Sequence, residues 1–148
     1  MKKGFLVIVG LVSLLNANVT IKSESFQEKK IGKETKWIKA SKVIPGTKIK
    51  YVNTISNDTS NTATNLVATN VIQKFMTYTD GSAKCKTPCK VVFSVDGGKT
   101  FDLPNNLFVV ENGKKRVARA NEYGAVRWTI LSLGAGQKDE CIYEAVLK

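Results

Sequence analysis

The chain contains no histidine among its 148 residues. Histidine is the commonest general base and the commonest metal ligand in proteins. Its absence excludes Ser-His-Asp and Cys-His catalytic arrangements, and it leaves the cysteines without the partners of a usual zinc site. We therefore expect neither a cofactor nor a metal nor enzymatic activity.

Catalysis by paired carboxylates is not excluded by composition. Five acidic residues are candidates: Asp80, Asp96, Asp102, Glu111 and Glu122. Each lies at or near a predicted turn, where acidic side chains are normally solvated or bind the backbone. No second motif brings two of them together, so a hydrolase is the least favoured class of function.

Arginine is scarce, although the chain is strongly basic. The sequence has 23 lysines and arginines against 12 acidic residues, for a formal charge of +11, and its arginines are Arg116, Arg119 and Arg127. Arginine forks commonly read DNA bases, so we expect no specific nucleic-acid partner. Lysine excess instead suits weak attraction to anionic polymers such as lipopolysaccharide, teichoic acid or acidic glycans. The candidate polyanion site is one predicted hairpin with Lys114, Lys115, Arg116 and Arg119; the plainer alternative is a solvated, solubilising face.

Long apolar runs are also rare, and the exception lies at the N-terminus. Lys2 and Lys3 precede an apolar stretch from Phe5 to Leu15, and small Ala17 follows. This pattern predicts a signal peptide over residues 1–17. The stretch is too short for a membrane-spanning helix, which needs about 20 residues, and no later segment is long enough. An uncleaved anchor or a buried strand is the alternative. We expect a periplasmic, cell-surface or secreted bacterial protein with no transmembrane segment in its mature form.

Cysteine is limited to Cys85, Cys89 and Cys141. In an oxidising compartment, the segment Cys85-Lys-Thr-Pro-Cys89 predicts a local disulfide between its two ends. Closing so small a loop stabilises the fold by about 2 kcal/mol at most. Cys141 lies in a predicted strand on the same face as Tyr143 and Ala145, which indicates a small buried residue and not a nucleophile.

The sequence pattern beyond residue 42 predicts strands throughout. Ile49, Tyr51 and Ile55 alternate with polar residues, as in a half-buried strand. Asn112-Gly113 favours a type I′ turn. No window carries a convincing helical stripe, and the frequent turns indicate an all-β, antiparallel β-sandwich of seven to eight strands. The predicted domain covers residues 43–148, and residues 18–42 form a lysine-rich lead-in or an edge strand.

The segment Ser94-Val-Asp-Gly-Gly-Lys-Thr-Phe101 has the Asp-box spacing of sialidase propeller blades. A propeller needs at least four blades of about four strands each, and this chain is too short for them. Local turn chemistry explains the same residues, because Asp96 accepts turn amides and Gly97 and Gly98 tolerate positive φ. We interpret the segment as a hairpin tip. A calcium site at Asp96 is a weaker alternative, since the loop lacks regularly spaced oxygen ligands.

From about Val43 to Leu147 the chain resembles the bacterial DUF11-type repeat domain of secreted and surface proteins. The resemblance lies in the order of several short motifs: Ile44-Pro-Gly-Thr-Lys-Ile-Lys-Tyr51, Ser56-Asn57, Thr62-Ala-Thr-Asn-Leu-Val-Ala-Thr69, Thr77-Tyr78, Gly81-Ser-Ala83, the hairpin tip above, Glu122-Tyr-Gly-Ala-Val-Arg-Trp128 and Gly134-Ala-Gly136. Asn70-Val71 departs from the usual Asp-Pro of the family, Asn53 stands where an inward aliphatic residue is usual, and the cysteine pair is not a general family feature.

The resemblance implies an Ig-like sandwich with no catalytic residues and with Tyr123 and Trp128 inside the core. Tyr123 also precedes its predicted strand by a turn, where a phenol can bind the connecting backbone as in a tyrosine corner. We expect a non-catalytic structural or protein-interaction module of the cell envelope or the secreted fraction. The alternative is a polyanion- or glycan-binding protein that uses its lysine-rich surface.

Overall fold

The computed structural model of the protein describes Gly10–Leu11 and residues 18–148. These residues form antiparallel strands, two short 3-10 turns and no α-helix, so the predicted all-β class is confirmed. The rest of the predicted signal peptide lies outside the described residues.

The strands vary widely in length. In chain order they are β1 (Gly10–Leu11), β2 (Val19–Ile31), β3 (Glu34–Lys39), β4 (Lys48–Asn57), β5 (Ala63–Val71), β6 (Met76–Tyr78), β7 (Lys84–Cys85), β8 (Cys89–Ser94), β9 (Phe108–Glu111), β10 (Lys114–Val117), β11 (Ala125–Leu133) and β12 (Lys138–Leu147). The 3-10 turns are Pro104–Asn106 and Ala120–Glu122.

Two main sheets face each other. The larger has the strand order β3-β2-β4-β12-β6, and β7 pairs with β12 beside β6. The smaller has the order β1-β5-β11-β8. β9 and β10 form a separate hairpin, which turns at Asn112 and Gly113 with positive φ at both residues, as a type I′ turn requires.

The core forms because apolar residues alternate along the long strands. β4 buries every second residue, including Ile49, Tyr51 and Ile55, as predicted. From the other sheet, β11 contributes Trp128, which is fully buried. Its ring lies 6.0 Å from that of Tyr143 on β12, so the two sheets share one core as in a sandwich.

The lysine-rich segment before residue 43 forms β2 and β3 of the larger sheet. β2 pairs with β4 from Val19 to Gln27 and with β3 from Phe26 to Ile31. Beyond Gln27, β2 pairs with β3 alone, so the hairpin end projects past β4. We call residues 28–36 the lysine arm.

The core aromatics differ from expectation in one respect. Tyr123 is buried, as predicted, and its ring stacks on Phe93 at 4.5 Å. The phenol that bonds nearby backbone is instead Tyr78, whose oxygen accepts the N–H of Ala83 at 3.2 Å.

Candidate functional site

The Asp-box segment forms the predicted turn. The Asp96 carboxylate accepts the backbone N–H groups of Lys99 and Thr100 at 3.1 and 2.9 Å, and the hydroxyls of Ser94 and Thr100 at 2.7 and 2.6 Å. These donors, led by the Thr100 hydroxyl, hold the pKa of Asp96 well below its usual value. After the turn, the chain pairs with β8 through a single β-bridge, between Phe93 and Asp102. The side chain therefore stabilises the turn as a carboxylate.

The other candidate carboxylates are mostly separate. Asp80 is exposed, and Asp102 accepts the N–H of Leu103 at 2.7 Å, next to the first 3-10 turn. The structure brings Glu111 and Glu122 together, because both bind Arg116.

Arg116 is the centre of an ion-pair cluster. Its Nε donates to Glu111 at 2.7 Å, and its two terminal nitrogens donate to Glu122 at 2.9 and 2.6 Å. The hydrogen bonds from Arg116 lower the pKa of Glu122 to about 2 and also lower that of Glu111. Both glutamates therefore stay ionised near neutral pH. The pair with Glu111 joins β9 to β10, and the pair with Glu122 ties the hairpin to the second 3-10 turn.

The structure places the four basic residues proposed from sequence on both faces of the hairpin and on the segment that follows it. Lys114 pairs with Glu111 and Arg116 with Val109 on one face of the hairpin, and Lys115 lies opposite Val110 on the other. Arg119 precedes the second 3-10 turn, where its backbone N–H donates to Glu122 at 2.7 Å. Since Arg116 already binds two carboxylates, it is the least available of the four to an external anion.

The same hairpin presents an apolar outer face that sequence reasoning missed. Phe108, Val110 and Val117 lie on this face with exposed fractions of 43%, 75% and 46%. The Lys115 ammonium lies 4.4 Å from the centroid of the Phe108 ring. Val109 points the opposite way and packs against the core. We call Phe108, Val110 and Val117 the hairpin face.

Basic side chains concentrate elsewhere, on the lysine arm. Lys29, Lys30, Lys33 and Lys36 are all exposed there. Two glutamates lie in the same segment: Glu34 is 3.4 Å from the Lys36 ammonium, and Glu28 is 3.4 Å from the Lys48 ammonium. Behind the arm, a groove of about 350 Å³ on the outer face of the larger sheet includes Trp37, Phe26 and Lys50. The Lys50 ammonium lies 4.2 Å from the centroid of the Trp37 ring.

The three cysteines meet at one end of the larger sheet. Cys85 and Cys89 are at disulfide-bonding distance, as predicted. Cys141 is fully buried, and its Sγ lies 2.7 Å from that of Cys85. Burial raises the pKa of the Cys141 thiol far above its usual value. The loop between Cys85 and Cys89 is held by Thr87, whose hydroxyl and N–H both donate to the buried carboxylate of Asp139.

No known family model, curated protein or solved structure matches the chain. The resemblance to the DUF11-type domain thus rests on its motifs alone. Within the part of the chain that the structure describes, no helix has the length and apolar character to cross a membrane.

Proposed function

We propose that the chain is a non-catalytic, Ig-like interaction module that binds a protein partner through the hairpin face. The observation that carries this proposal is the joint exposure of Phe108, Val110 and Val117 on one side of a two-stranded ribbon. Single exposed apolar residues are ordinary, but contiguous ones often mark an interaction surface.

The chemistry of the hairpin face suits a protein partner. An aromatic ring and two branched aliphatic side chains would form the dry centre of an interface, and Lys115 and Lys114 would lie at its polar rim. The ribbon is held from behind by Val109, which packs against the core, and by the ion pair of Arg116 with Glu122. A rigid face loses little conformational entropy on binding, which favours affinity.

We further propose that the module acts outside the bacterial cytoplasm, in the envelope or the secreted fraction. The basic and apolar N-terminal pattern supports export, and the Cys85–Cys89 pair is compatible with an oxidising compartment. Mass spectrometry of exported protein should find a chain that begins at Asn18. A mass that includes Met1 would contradict export by cleavage.

Site-specific photo-crosslinking tests the hairpin face. A photoreactive amino acid replaces Val110 in one variant and Leu131 in the control, which is 56% exposed on a different strand. In cells that export the protein, we expect a discrete protein adduct from position 110 and none from position 131. Equal adducts from both positions, or none from either, would contradict the proposal.

The second candidate function is binding of anionic polymers by the lysine arm. It is favoured by four exposed lysines on a hairpin that projects beyond β4, where the arm's two glutamates, Glu28 and Glu34, are bound to Lys48 and Lys36. Replacing Lys29, Lys30, Lys33 and Lys36 by glutamine should then lower the salt concentration that elutes the protein from heparin. A matched variant removes Lys74, Lys99, Lys138 and Lys148, so that both variants lose equal charge. If the two variants elute together, only net charge matters and the arm is no binding site.

A further inference from the structure

The cysteine cluster places one sulfur between two others. Cys85 Sγ is at bonding distance from Cys89 Sγ and 2.7 Å from Cys141 Sγ. A thiol in contact with a disulfide sulfur is close enough for thiol–disulfide exchange, in which one sulfur attacks another directly.

Strand register supports a second bridge independently. Cys85 and Cys141 are direct partners in the antiparallel pairing of β7 with β12. The next pair along the two strands is Lys86 with Glu140. This pair is hydrogen-bonded, because the N–H of Lys86 donates to the carbonyl of Glu140 at 3.0 Å. Cys85 and Cys141 therefore form a non-hydrogen-bonded pair, in which the Cα atoms approach to about 4.5 Å and the side chains are close. Disulfides span Cα separations of about 4.4–6.8 Å, so a cross-strand bridge fits without moving the backbone.

We propose that Cys141 exchanges with Cys89 for the bond to Cys85, and that the released Cys89 is a site of covalent modification by external disulfides. In the first step the Cys141 thiolate attacks Cys85 Sγ, the Cys85–Cys141 bond forms and the Cys85–Cys89 bond breaks. Cys89 leaves as a thiolate, and the proton that Cys141 lost goes to solvent. The step is a rearrangement with no net oxidation.

The second step needs an external disulfide as co-reactant. The Cys89 thiolate attacks one sulfur of that disulfide, forms a mixed disulfide and releases the other sulfur as a thiolate. Cys89 suits this role because it is half-buried, whereas Cys141 is fully buried. Lys86 and Lys90 flank it closely in sequence, and positive charge stabilises a thiolate.

The product of the first step has a stability advantage. A bridge between Cys85 and Cys141 closes a much longer loop than one between Cys85 and Cys89, and longer loops restrict the unfolded chain more strongly. The hydrogen bonds of Thr87 to Asp139 hold the loop without using its cysteines, so the exchange does not require them to break.

Peptide mapping of the folded full chain tests the exchange. Trypsin cuts after Lys84, Lys86, Lys90 and Lys138, which places the three cysteines on three separate peptides. The protein is incubated with an aromatic disulfide reagent at alkaline pH, because burial raises the pKa of the Cys141 thiol and the attack needs its thiolate. It is then acidified and digested. We expect a peptide pair that links Cys85 to Cys141, and the reagent attached to Cys89.

The Cys141→Ser variant is the control, with its thermal midpoint measured beside wild type. Labelling of Cys89 should fall to background in this variant, since no thiol remains to displace Cys89 from its bond to Cys85. Two results would overturn the proposal: a folded wild-type protein that shows only the Cys85–Cys89 link with Cys89 unlabelled, or Cys89 labelling that persists in Cys141→Ser.

Discussion

Asn53 and Asn70 hydrogen-bond to each other across the two sheets. The amide nitrogen of Asn53 on β4 donates to the side-chain oxygen of Asn70 on β5 at 2.7 Å. Asn53 also accepts the Ser23 hydroxyl at 2.7 Å and donates to the Cys141 carbonyl at 3.2 Å. Both asparagines are buried, so the network supplies the partners that buried polar groups require. The buried polar side chain at position 53 is thereby satisfied.

Replacing one asparagine should be destabilising because the buried amide of the other loses its hydrogen bonds across the sheets. Asn70 then keeps only the Thr69 carbonyl, and Asn53 keeps the Ser23 hydroxyl and the Cys141 carbonyl. We expect Asn53→Ala and Asn70→Ala each to lower the free energy of unfolding by about 1–3 kcal/mol, the usual penalty for a buried unsatisfied group. The double variant should lose less than the sum, with a coupling of about 0.5–3 kcal/mol. Urea denaturation measures all four proteins. Strictly additive losses would show that the two side chains do not interact.

Trp128 provides a test of the core. The side chain is fully buried, and its indole N–H has no hydrogen-bond partner among the described residues. Trp128→Ala should therefore lower the free energy of unfolding by about 3–5 kcal/mol. Trp128→Phe should lose much less, because it keeps most of the ring and removes the unsatisfied donor.

The half-buried Trp37 is the matched control, and its replacement by alanine should change the urea midpoint less than Trp128→Ala does. If Trp128→Ala keeps the wild-type midpoint but abolishes binding to a polysaccharide, then Trp128 belongs to a glycan site and the core assignment fails.

The Arg116 cluster predicts a dependence of stability on acid. The pKa of Glu122 is lowered from 4.5 to about 2 in the folded protein, mainly by the hydrogen bonds from Arg116. A depressed carboxyl pKa stabilises the fold above the unfolded pKa, and this stabilisation is lost as pH falls through the folded value. The melting temperature should therefore fall between about pH 5 and pH 2.

Arg116→Met should make that fall shallower, because it removes the group that depresses the pKa values of Glu122 and Glu111. Arg127→Met is the matched control, since Arg127 binds the Thr69 hydroxyl and lies over the Phe101 ring instead of a carboxylate. The effect should be modest and weaker in salt, because surface ion pairs are screened. If the melting temperatures of the two variants fall equally steeply with pH, then Arg116 does not cause the acid dependence.

Local pattern was enough to predict the strand character of this chain. Ile49, Tyr51 and Ile55 alternate with polar residues, and they are buried as that alternation requires. The turns at Asn112-Gly113 and at Ser94–Phe101 also followed from residues that favour positive φ or accept backbone amides. These features depend on neighbours in sequence, so they are readable there.

Features that depend on which strands pair could not be predicted from the sequence. The contact of Cys141 with Cys85 needs β7, a strand of two residues, to lie beside β12. The ion pair between Arg116 and Glu122 depends on how the hairpin packs against a 3-10 turn. The sequence does not show this packing, so it does not reveal that Arg116 is bound within the protein. The exposure of Val110 likewise follows from which face of the hairpin meets the core, and alternation alone does not fix that choice.

The most direct test of a protein partner at the hairpin face is the crosslinking yield at position 110 with and without Val117→Lys. Val117 is the neighbour of Phe108 across the hairpin, and a lysine there would place a second ammonium in the apolar face without touching Arg116 or the core. We predict that the adduct at position 110 falls to the level of the position 131 control, with an unchanged melting temperature. An undiminished adduct in the Val117→Lys background would contradict the proposed interaction surface.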